Sequence, residues 1–169
     1  DEEIEEKVKL VVAGGDSRQK SVYAGLSALA QAGAKEDDIV LIHDAARPLI
    51  SQNIITDNIR ACEKYNAVDT VILASDTIIR SVNGETITEI QKRSELFQGQ
   101  TPQSFRFGII KNAHDVALAK NDTDTTDDCK LVLKTGVDIH LVQGSKLNFK
   151  ITTFDDLMML KALLKIGKT

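Results

Sequence analysis

Residues 39–48 read IVLIHDAARP, so that a run of four apolar residues leads directly into a polar cluster. Such a short apolar run is typical of a strand buried on both faces of a sheet, and we predict a strand over residues 39–43. Ser51 follows as a candidate helix N-cap. The helix after it has an apolar stripe formed by Ile54, Ile55, Ile59 and Cys62. A buried strand followed by an amphipathic helix predicts an α/β protein.

The same alternation of strands and helices continues along the chain. Further strands are predicted from apolar runs at residues 9–13, 68–74, 137–142 and 149–152. Further helices are predicted at residues 21–32 and 105–119, after the acidic residues 126–128, and after the capping pair Thr153 and Asp156. This order indicates one domain over residues 1–169, an α/β sandwich around a mainly parallel sheet.

Residues 77–90 have a different pattern, in which apolar and polar residues alternate around Asn83-Gly84. Asn-Gly is the strongest short-range signal for a two-residue hairpin turn. We therefore expect a β-hairpin arm at about residues 77–97 that projects from the domain.

Composition excludes several classes of protein. A net charge of −4 argues against a protein that coats nucleic acid, because that task needs a dense basic face. No apolar run of about 18 residues predicts a membrane span. The two cysteines, Cys62 and Cys129, lie outside any C-x-x-C or Cys/His cluster, which argues against zinc and favours a reducing cytoplasm.

Polar clusters follow three of the apolar runs, where an α/β sheet places its ligand crevice. The first is GGDSRQKS at residues 14–21. Its glycines let the backbone approach a ligand closely, and Arg18 and Ser21 can hold polar ligand groups near a helix N-terminus. The alternative is an ordinary strand-to-helix turn with Ser21 near its cap.

The second cluster is HDAARP at residues 43–48. Asp44, at the end of a buried strand, suits Mg²⁺, which takes few carboxylates beside phosphate oxygens and water. Arg47 offers a planar fork for a phosphate or carboxylate. The alternative is that Asp44 and Arg47 pair with each other or with backbone, and that His43 is a core histidine.

The third cluster is ASDT at residues 74–77, which leads into the hairpin and is alternatively a plain turn. Residues 100–103 (QTPQ) are predicted to be a polar loop that can read a base or a polyol, or alternatively an ordinary surface loop. The segment around Lys150 is more suggestive. Lys150 lies in an apolar segment and needs a counter-charge, which a ligand phosphate would provide. An exposed edge strand with a solvated Lys150 is the alternative. His114 and His140, interpreted as surface or strand-face residues, are assigned no role.

Six segments, taken in order, carry a resemblance to a known family. They are GGDSRQKSV, HDAARP, SDT, KRSELFQGQTPQ, TDD and NFKIT. Together they resemble the sugar-alcohol-phosphate cytidylyltransferases, which include the enzymes for ribitol 5-phosphate and for 2-C-methyl-D-erythritol 4-phosphate. The resemblance spans essentially the whole chain. It implies a Rossmann-like three-layer sandwich and transfer of CMP from CTP to a sugar-alcohol phosphate, with Mg²⁺ as cofactor and release of pyrophosphate.

The resemblance also implies roles for individual residues. The positions that match the CTP-binding motifs are Gly15, Asp16, Arg18, Ser21, Ala45 and Arg47. The positions that match those around the acceptor or the reacting phosphates are Thr77, Arg93, Thr101, Thr126 and Lys150. Asp44 matches the Mg²⁺ ligand, and Lys150 and Arg93 orient the attacking phosphate. The hairpin resembles an arm exchanged in a homodimer, in which Arg93 serves the partner's site.

One family feature is missing from this sequence. The family begins with a glycine-rich loop that contains a basic residue, is followed by a lysine and wraps the triphosphate, and nothing here matches it. We therefore expect the 169-residue chain alone to have little activity.

The acceptor and the class of function are left with alternatives. Residues 64–69 and 97–105 favour ribitol 5-phosphate, which implies a role in teichoic acid and cell wall biogenesis. GGDSRQKSV and HDAARP are closer to the methylerythritol enzymes of isoprenoid biosynthesis. A non-catalytic nucleotide-binding or dimerising module is the alternative from another class. In every case we expect Asp16, Asp44, Thr101 and Lys150 to converge on one crevice.

Overall fold

A four-stranded sheet lies at the centre of the structure, a computed structural model that describes residues 6–123 and 125–167. The strands are β1 (Ile39–Ile42), β2 (Ala67–Leu73), β3 (Ile79–Arg80), β4 (Glu89–Ile90), β5 (Phe97–Arg106) and β6 (His140–Gln143). The helices are α1 (Arg18–Gln31), α2 (Gln52–Tyr65), α3 (Phe107–Ala119), α4 (Asp128–Leu133) and α5 (Phe154–Ile166). The predicted 39–43 and 68–74 strands and the helix capped by Ser51 are confirmed, each within about a residue or two.

The strand order of the central sheet is β1-β5-β2-β6. β5 pairs antiparallel with both β1 and β2, and β6 pairs parallel with β2. Three of the four strands, β1, β2 and β6, therefore run in one direction, as predicted for a mainly parallel sheet. β5 runs opposite to them, because it follows β2 without a crossover helix and strands joined in this way pair antiparallel.

Helices cover both faces of the sheet and form the three layers that the sequence predicted. Ala67 and Phe105 face a core built with Leu26 of α1, Ile110 of α3 and Leu131 of α4. Val68, Val142 and Ile39 face the opposite side, where they pack against Cys62 of α2. Because successive strand residues point to opposite faces, neighbours such as Ala67 and Val68 enter different cores.

Two predicted strands are absent from the part of the chain that the structure describes. Residues 9–13 belong to neither sheet, and Val11 is 90% exposed. Residues 149–152 are irregular, and Ile151 N–H donates to Ala46 O. An apolar run becomes a strand only where a neighbouring backbone accepts its hydrogen bonds, so composition alone was misleading at both places.

The predicted polar loop at residues 100–103 is instead part of β5, buried at the centre of the sheet. Asp69 pairs with Gln103 and Val71 with Gly99, so three β5 residues face Thr70. Such a bulge accommodates a proline, which has no N–H for the ladder. Thr70 Oγ1 donates to Pro102 O at 2.6 Å. The side-chain amide nitrogens of Gln100 and Gln103 donate to partners inside the protein, so this segment is held without solvent, although Gln103 Oε1 is buried without a hydrogen-bond partner.

β3 and β4 form a short antiparallel ladder with Ile79 opposite Ile90. The loop between them covers residues 81–88, so the predicted two-residue turn at Asn83-Gly84 is wrong. Asn83 Oδ1 accepts from the N–H groups of Glu85 and Thr86, which stabilises a wider loop. Residues 75–90 are all exposed. Exchange of this segment between subunits stays a prediction.

α5 begins with the predicted capping box. Asp156 N–H donates to Thr153 Oγ1 at 3.2 Å, and Thr153 N–H donates to the Asp156 carboxylate at 2.8 Å. The apolar stripe of this helix is only partly covered, because Leu164 is half exposed. Within residues 6–123 and 125–167, no helix is both long enough and apolar enough to cross a membrane.

Candidate active site

The Asp44 carboxylate, just beyond the carboxyl end of β1, lies among three cationic side chains. Lys150 Nζ is 2.9 Å from Asp44 Oδ2, Arg47 Nε is 3.8 Å from Oδ2, and Arg18 Nε is 3.9 Å from Oδ1. Burial raises the pKa of the Asp44 carboxyl, but the three cations together lower that pKa by more, so it lies below its ordinary value. Asp44 is therefore ionised at neutral pH.

The backbone of residues 43–47 is fixed by Thr101 of β5. Asp44 N–H donates to Thr101 Oγ1 at 3.0 Å, and the same oxygen is 2.9 Å from His43 Nδ1. His43 Nε2 lies 3.0 Å from Arg47 O, which can only accept, so Nε2 carries the proton. In neutral His43, Nδ1 then accepts from the Thr101 hydroxyl. His43 is thus neither a free base nor an apolar core residue. Its two hydrogen bonds, to Arg47 O and Thr101 Oγ1, help to fix the backbone around Asp44.

Lys150 reaches Asp44 from an irregular loop, not from a buried strand as predicted. Its side chain is 43% exposed, and Asp44 is its counter-charge. Asn148 anchors the loop, because its fully buried Nδ2 donates to Thr101 O at 2.8 Å. Arg47 Nη1 donates to Asn148 O at 2.8 Å. The role of Asn148 was not predicted from the NFKIT segment, although a polar residue between apolar ones was the available signal.

The glycine-containing turn before α1 is closed by Ser21. Ser21 Oγ accepts from Gly15 N–H at 3.1 Å and donates to Ser17 O at 2.9 Å. Ser17, rather than Ser21, is the N-cap, since its side chain accepts from Lys20 N–H. A Cβ on Gly15 would lie 2.4 Å from Lys20 Cβ, so the turn requires glycine there. The turn brings Arg18, in the first turn of α1, up to Asp44.

Asp16 does not join the Asp44 cluster. Its carboxylate pairs with Lys20 at 2.8 Å, and its side chain is mostly exposed. Lys20 lowers the pKa of the Asp16 carboxyl, through a hydrogen bond first and through charge second. Asp16 faces solvent beside the turn, where a ligand can reach it.

Arg18 has a second partner on the side away from the solvent. Arg18 Nη1 is 2.8 Å from Asp128 Oδ2, and Asp128 Oδ1 is 2.9 Å from His114 Nε2. His114 is buried, so its interpretation as a surface or strand-face residue is wrong. α3 presents it inward because its register with Ile110 and Ala117 places all three on the core side of the helix.

An open pocket of about 410 Å³ adjoins the cluster on the Lys150 side. Arg47, Lys146 and Lys150 give it positive charge, and Ser75, Asp76 and the start of β5 complete the wall. Arg93 Nη1 donates to Ser75 O of the same chain at 3.2 Å and so lies at the rim of this pocket, while a role in the partner's site stays a prediction. Lys146 was not singled out from the sequence. A pocket with several cations suits an anionic ligand such as a phosphate.

The remaining predicted residues lie at the edges of this arrangement. Ala45 is exposed beside Asp44, where a ligand can contact it. Thr77 and Thr126 are also exposed, and neither is among the residues that line the pocket. Thr126 precedes Asp127, which caps α4 by accepting from Lys130 N–H. The structure therefore brings together Arg18, Asp44, Arg47, Thr101 and Lys150, and leaves Thr77 and Thr126 outside that cluster.

Known proteins resemble the chain in both sequence and structure. It is 41% identical over 162 residues to the ribitol-5-phosphate cytidylyltransferase of Lactiplantibacillus plantarum, a match covering 95% of this chain and 69% of the relative. The 2-C-methyl-D-erythritol 4-phosphate cytidylyltransferase of Thermus thermophilus superposes with a TM-score of 0.80 at 32% identity, covering 91% of this chain and 72% of the other. The Francisella tularensis enzyme of that name gives 0.82 at 31% identity, covering 90% and 70%.

The fold and the site thus define a nucleotidyltransferase of the cytidylyltransferase class. A family profile described as 2-C-methyl-D-erythritol 4-phosphate cytidylyltransferase matches residues 2–166, and the chain belongs to that family. The relatives share the Rossmann-like nucleotidyltransferase fold, which confirms the resemblance drawn from the six sequence segments.

Proposed function

We propose that this protein transfers CMP from CTP to D-ribitol 5-phosphate, giving CDP-ribitol and pyrophosphate. The observation that carries this choice is the 41% identity to a ribitol-5-phosphate cytidylyltransferase. The methylerythritol enzymes of Thermus thermophilus and Francisella tularensis are 32% and 31% identical. The methylerythritol acceptor is the second candidate, because the family profile and these structures carry its name.

In the proposed reaction, a phosphate oxygen of the acceptor attacks the α-phosphorus of CTP. A new P–O bond forms, the bond from the α-phosphorus to the bridging oxygen breaks, and pyrophosphate leaves with the electron pair. The attacking phosphate is already ionised at neutral pH, so no general base is needed. The protein acts by positioning the two phosphates and neutralising their charge.

The two sides of the Asp44 cluster suit the two substrates. On one side, Gly15, Ser21 and Arg18 form a closed turn at the start of α1, which suits the nucleotide. On the other side, Lys150 faces the basic pocket, with Arg93 at its rim, which suits the acceptor phosphate. Arg47 contacts both Asp44 and Asn148 O, and so holds the two sides of the site in a fixed position relative to each other.

The Lys150–Asp44 pair is expected to open when substrates bind. Lys150 is partly exposed, so its ammonium can turn towards a phosphate without a change in the backbone. A phosphate dianion competes for the ammonium better than a single carboxylate that Arg18 and Arg47 also neutralise. The ion pair therefore keeps Lys150 near the reaction centre before substrates arrive.

Mg²⁺ is proposed to bind at Asp44. Within residues 6–123 and 125–167, no group of three or more acidic, histidine or cysteine side chains can hold a metal. One carboxylate is enough for Mg²⁺ when substrate phosphates supply other ligands, so Asp44 fits the ion only together with CTP. When bound, the ion would offset charge that develops on the phosphates. Asp44 contributes an ionised oxygen, and its backbone is fixed by the bond from its N–H to Thr101 Oγ1.

A homodimer through the β3–β4 segment is also proposed. Its exposed apolar residues are Ile78, Ile79, Val82, Ile87 and Ile90. A run of exposed apolar side chains in and beside a short ladder favours contact with a partner. Light scattering after size-exclusion chromatography tests this proposal: replacing Val82 and Ile87 by serine should convert a dimer to a monomer, and a monomeric wild-type protein would contradict it.

The proposed function is tested by pyrophosphate release from CTP in the full-length protein. We expect release with ribitol 5-phosphate at a kcat/KM at least about tenfold above that with 2-C-methyl-D-erythritol 4-phosphate. The reverse preference would establish the second candidate. CTP binding without release, with either acceptor, would support the non-catalytic nucleotide-binding module instead.

A further inference from the structure

On the side away from the pocket, Arg18 contacts the buried Asp128, which in turn contacts the buried His114. His114 of α3 and Asp128 of α4 are each only 1% exposed, and their side chains are 2.9 Å apart. Asp128 then reaches Arg18 at 2.8 Å, and Arg18 reaches Asp44 at 3.9 Å. The four side chains form a continuous series from the α3–α4 core to the candidate active site.

Elementary chemistry decides which atoms donate and which accept in this series of side chains. Asp128 Oδ1 can only accept, so His114 Nε2 carries the proton that joins them. The His114 ring also stacks on Tyr23 with a centroid distance of 6.2 Å. Arg18 Nη1 and Asp128 Oδ2 are both buried and have no well-directed hydrogen bond, although they are 2.8 Å apart. Attraction between opposite charges, rather than a directional bond, therefore holds the guanidinium.

A carboxylate as buried as Asp128 is costly unless it is paired, and its removal would leave the buried Nη1 of Arg18 without a partner. The buried position of Asp128 orients the Arg18 guanidinium. Nη1 of Arg18 is held inside by Asp128, so Nε is left towards Asp44. We propose that His114 and Asp128 are positioning residues, which fix the Arg18 guanidinium for the nucleotide and keep it from closing onto Asp44. This inference rests on the proposed cytidylyltransferase function.

Loss of the Asp128 charge should release Arg18 to form a full ion pair with Asp44. The nucleotide would then meet a cation that is already engaged. For Asp128→Asn we expect the KM for CTP to rise about tenfold, since a charge-assisted contact is lost. The KM for the acceptor should change less than about twofold, because Lys150 and Arg93 lie on the other side of Asp44.

A double-mutant cycle in the full-length protein tests whether Asp128 acts through Arg18. Asp128→Asn, Arg18→Gln and the double variant are compared by kcat/KM for CTP. The double variant should lie within about twofold of Arg18→Gln alone. Independent losses that multiply would overturn the inference. Asp122→Asn is the matched control, since that carboxylate pairs with Lys134 on the surface and should leave the KM for CTP unchanged.

His114 is tested by a conservative and a non-conservative change. His114→Gln can keep a donor near the position of Nε2, whereas His114→Leu removes it. We expect Gln to retain most of the affinity for CTP and Leu to reproduce the loss seen with Asp128→Asn. Equal losses in Gln and Leu would show that the ring only fills space, and would contradict a positioning role.

A nuclear magnetic resonance measurement separates this inference from the proposed function. The Arg18 Nε–H signal should be sharp in the wild-type protein and shift or broaden in Asp128→Asn, whatever the protein catalyses. An unchanged Arg18 signal in that variant would overturn the positioning role even in an active enzyme. A shifted signal in a protein that turns over neither acceptor would keep the Arg18 geometry and overturn the proposed function.

Discussion

The Lys150 ammonium lies 2.9 Å from the Asp44 carboxylate, although the two residues come from different halves of the chain. Thr101 joins them through the N–H of Asp44 and through the Asn148 amide that anchors the Lys150 loop. The expected convergence is thus confirmed for Asp44, Thr101 and Lys150. Asp16 is the exception, since it pairs with Lys20 at the exposed turn.

Lys150→Gln should lower kcat/KM for the acceptor by about 100-fold or more, because a cation at the reacting phosphates is lost. Steady-state kinetics with varied acceptor measure this. Lys161→Gln, on the exposed face of α5, is the matched control and should behave as wild type. A loss of less than about threefold in Lys150→Gln would remove Lys150 from the proposed mechanism.

Thr101→Val should destabilise the protein by about 1–3 kcal/mol, although valine matches threonine in shape. The substitution leaves Asp44 N–H and His43 Nδ1 without their shared partner at a half-buried site. Urea unfolding gives the free energy of unfolding. Thr101→Ser keeps the hydroxyl and should lose less; if the serine variant is the less stable of the two, the hydroxyl is not what holds the Asp44 backbone.

Gly15→Ala should weaken CTP binding, because the added Cβ would lie 2.4 Å from Lys20 Cβ and distort the turn. Gly25→Ala, within α1, is the matched control. Nothing lies within 4 Å of a Cβ there, so alanine should stabilise the helix by up to about 1 kcal/mol. Calorimetric titration with CTP and thermal unfolding measure the two effects. Unchanged CTP affinity in Gly15→Ala would place the nucleotide elsewhere.

Asp69 predicts a pH dependence of stability. Burial raises the pKa of its carboxyl from 3.8 to about 6, against the hydrogen bond from Gln103 Nε2. The folded state therefore binds the proton more tightly than the unfolded state. The stabilisation is complete below pH 3.8 and is lost as the pH rises through about 6, a fall of up to about 3 kcal/mol.

Asp69→Asn tests this directly, because asparagine keeps an oxygen that can accept from Gln103. Urea unfolding between pH 4 and pH 8 should show a flatter curve than wild type and higher stability at pH 7. The Asp115→Asn variant, on the surface of α3, should retain the wild-type slope. A parallel curve for Asp69→Asn would mean that this carboxyl does not titrate in the predicted range.

The sequence predicted those features that depend on local pattern. The α2 helix follows from its Ser51 cap and apolar stripe, and β1 follows from four apolar residues bounded by polar ones. The candidate site followed from the polar residues that end β1 together with the family resemblance. These features are determined by residues that are close together in the chain, so they can be predicted from a single sequence.

The predictions that were wrong concern residues whose environment depends on other segments of the chain. From the sequence, Gln103 was predicted to be a loop residue. In the structure it lies in β5, where Asp69 and Asp127 accept hydrogen bonds from its side-chain N–H groups. His114 reads as a surface residue until Asp128 is placed beside it. Val11 reads as a strand residue, yet residues 9–13 have no place in either sheet. For Gln103 and His114, the acceptor atoms that decide the environment lie on residues 14 to 34 positions away in the chain.

The most direct test of the central claim is a competition between the two acceptors at equal concentration. The full-length protein, CTP and Mg²⁺ are mixed with ribitol 5-phosphate and 2-C-methyl-D-erythritol 4-phosphate, and the two CDP-linked products are quantified by mass spectrometry. We predict that CDP-ribitol accounts for nearly all of the product. A product pool dominated by the methylerythritol derivative would contradict the proposed acceptor, and no CDP-linked product at all would contradict the proposed reaction.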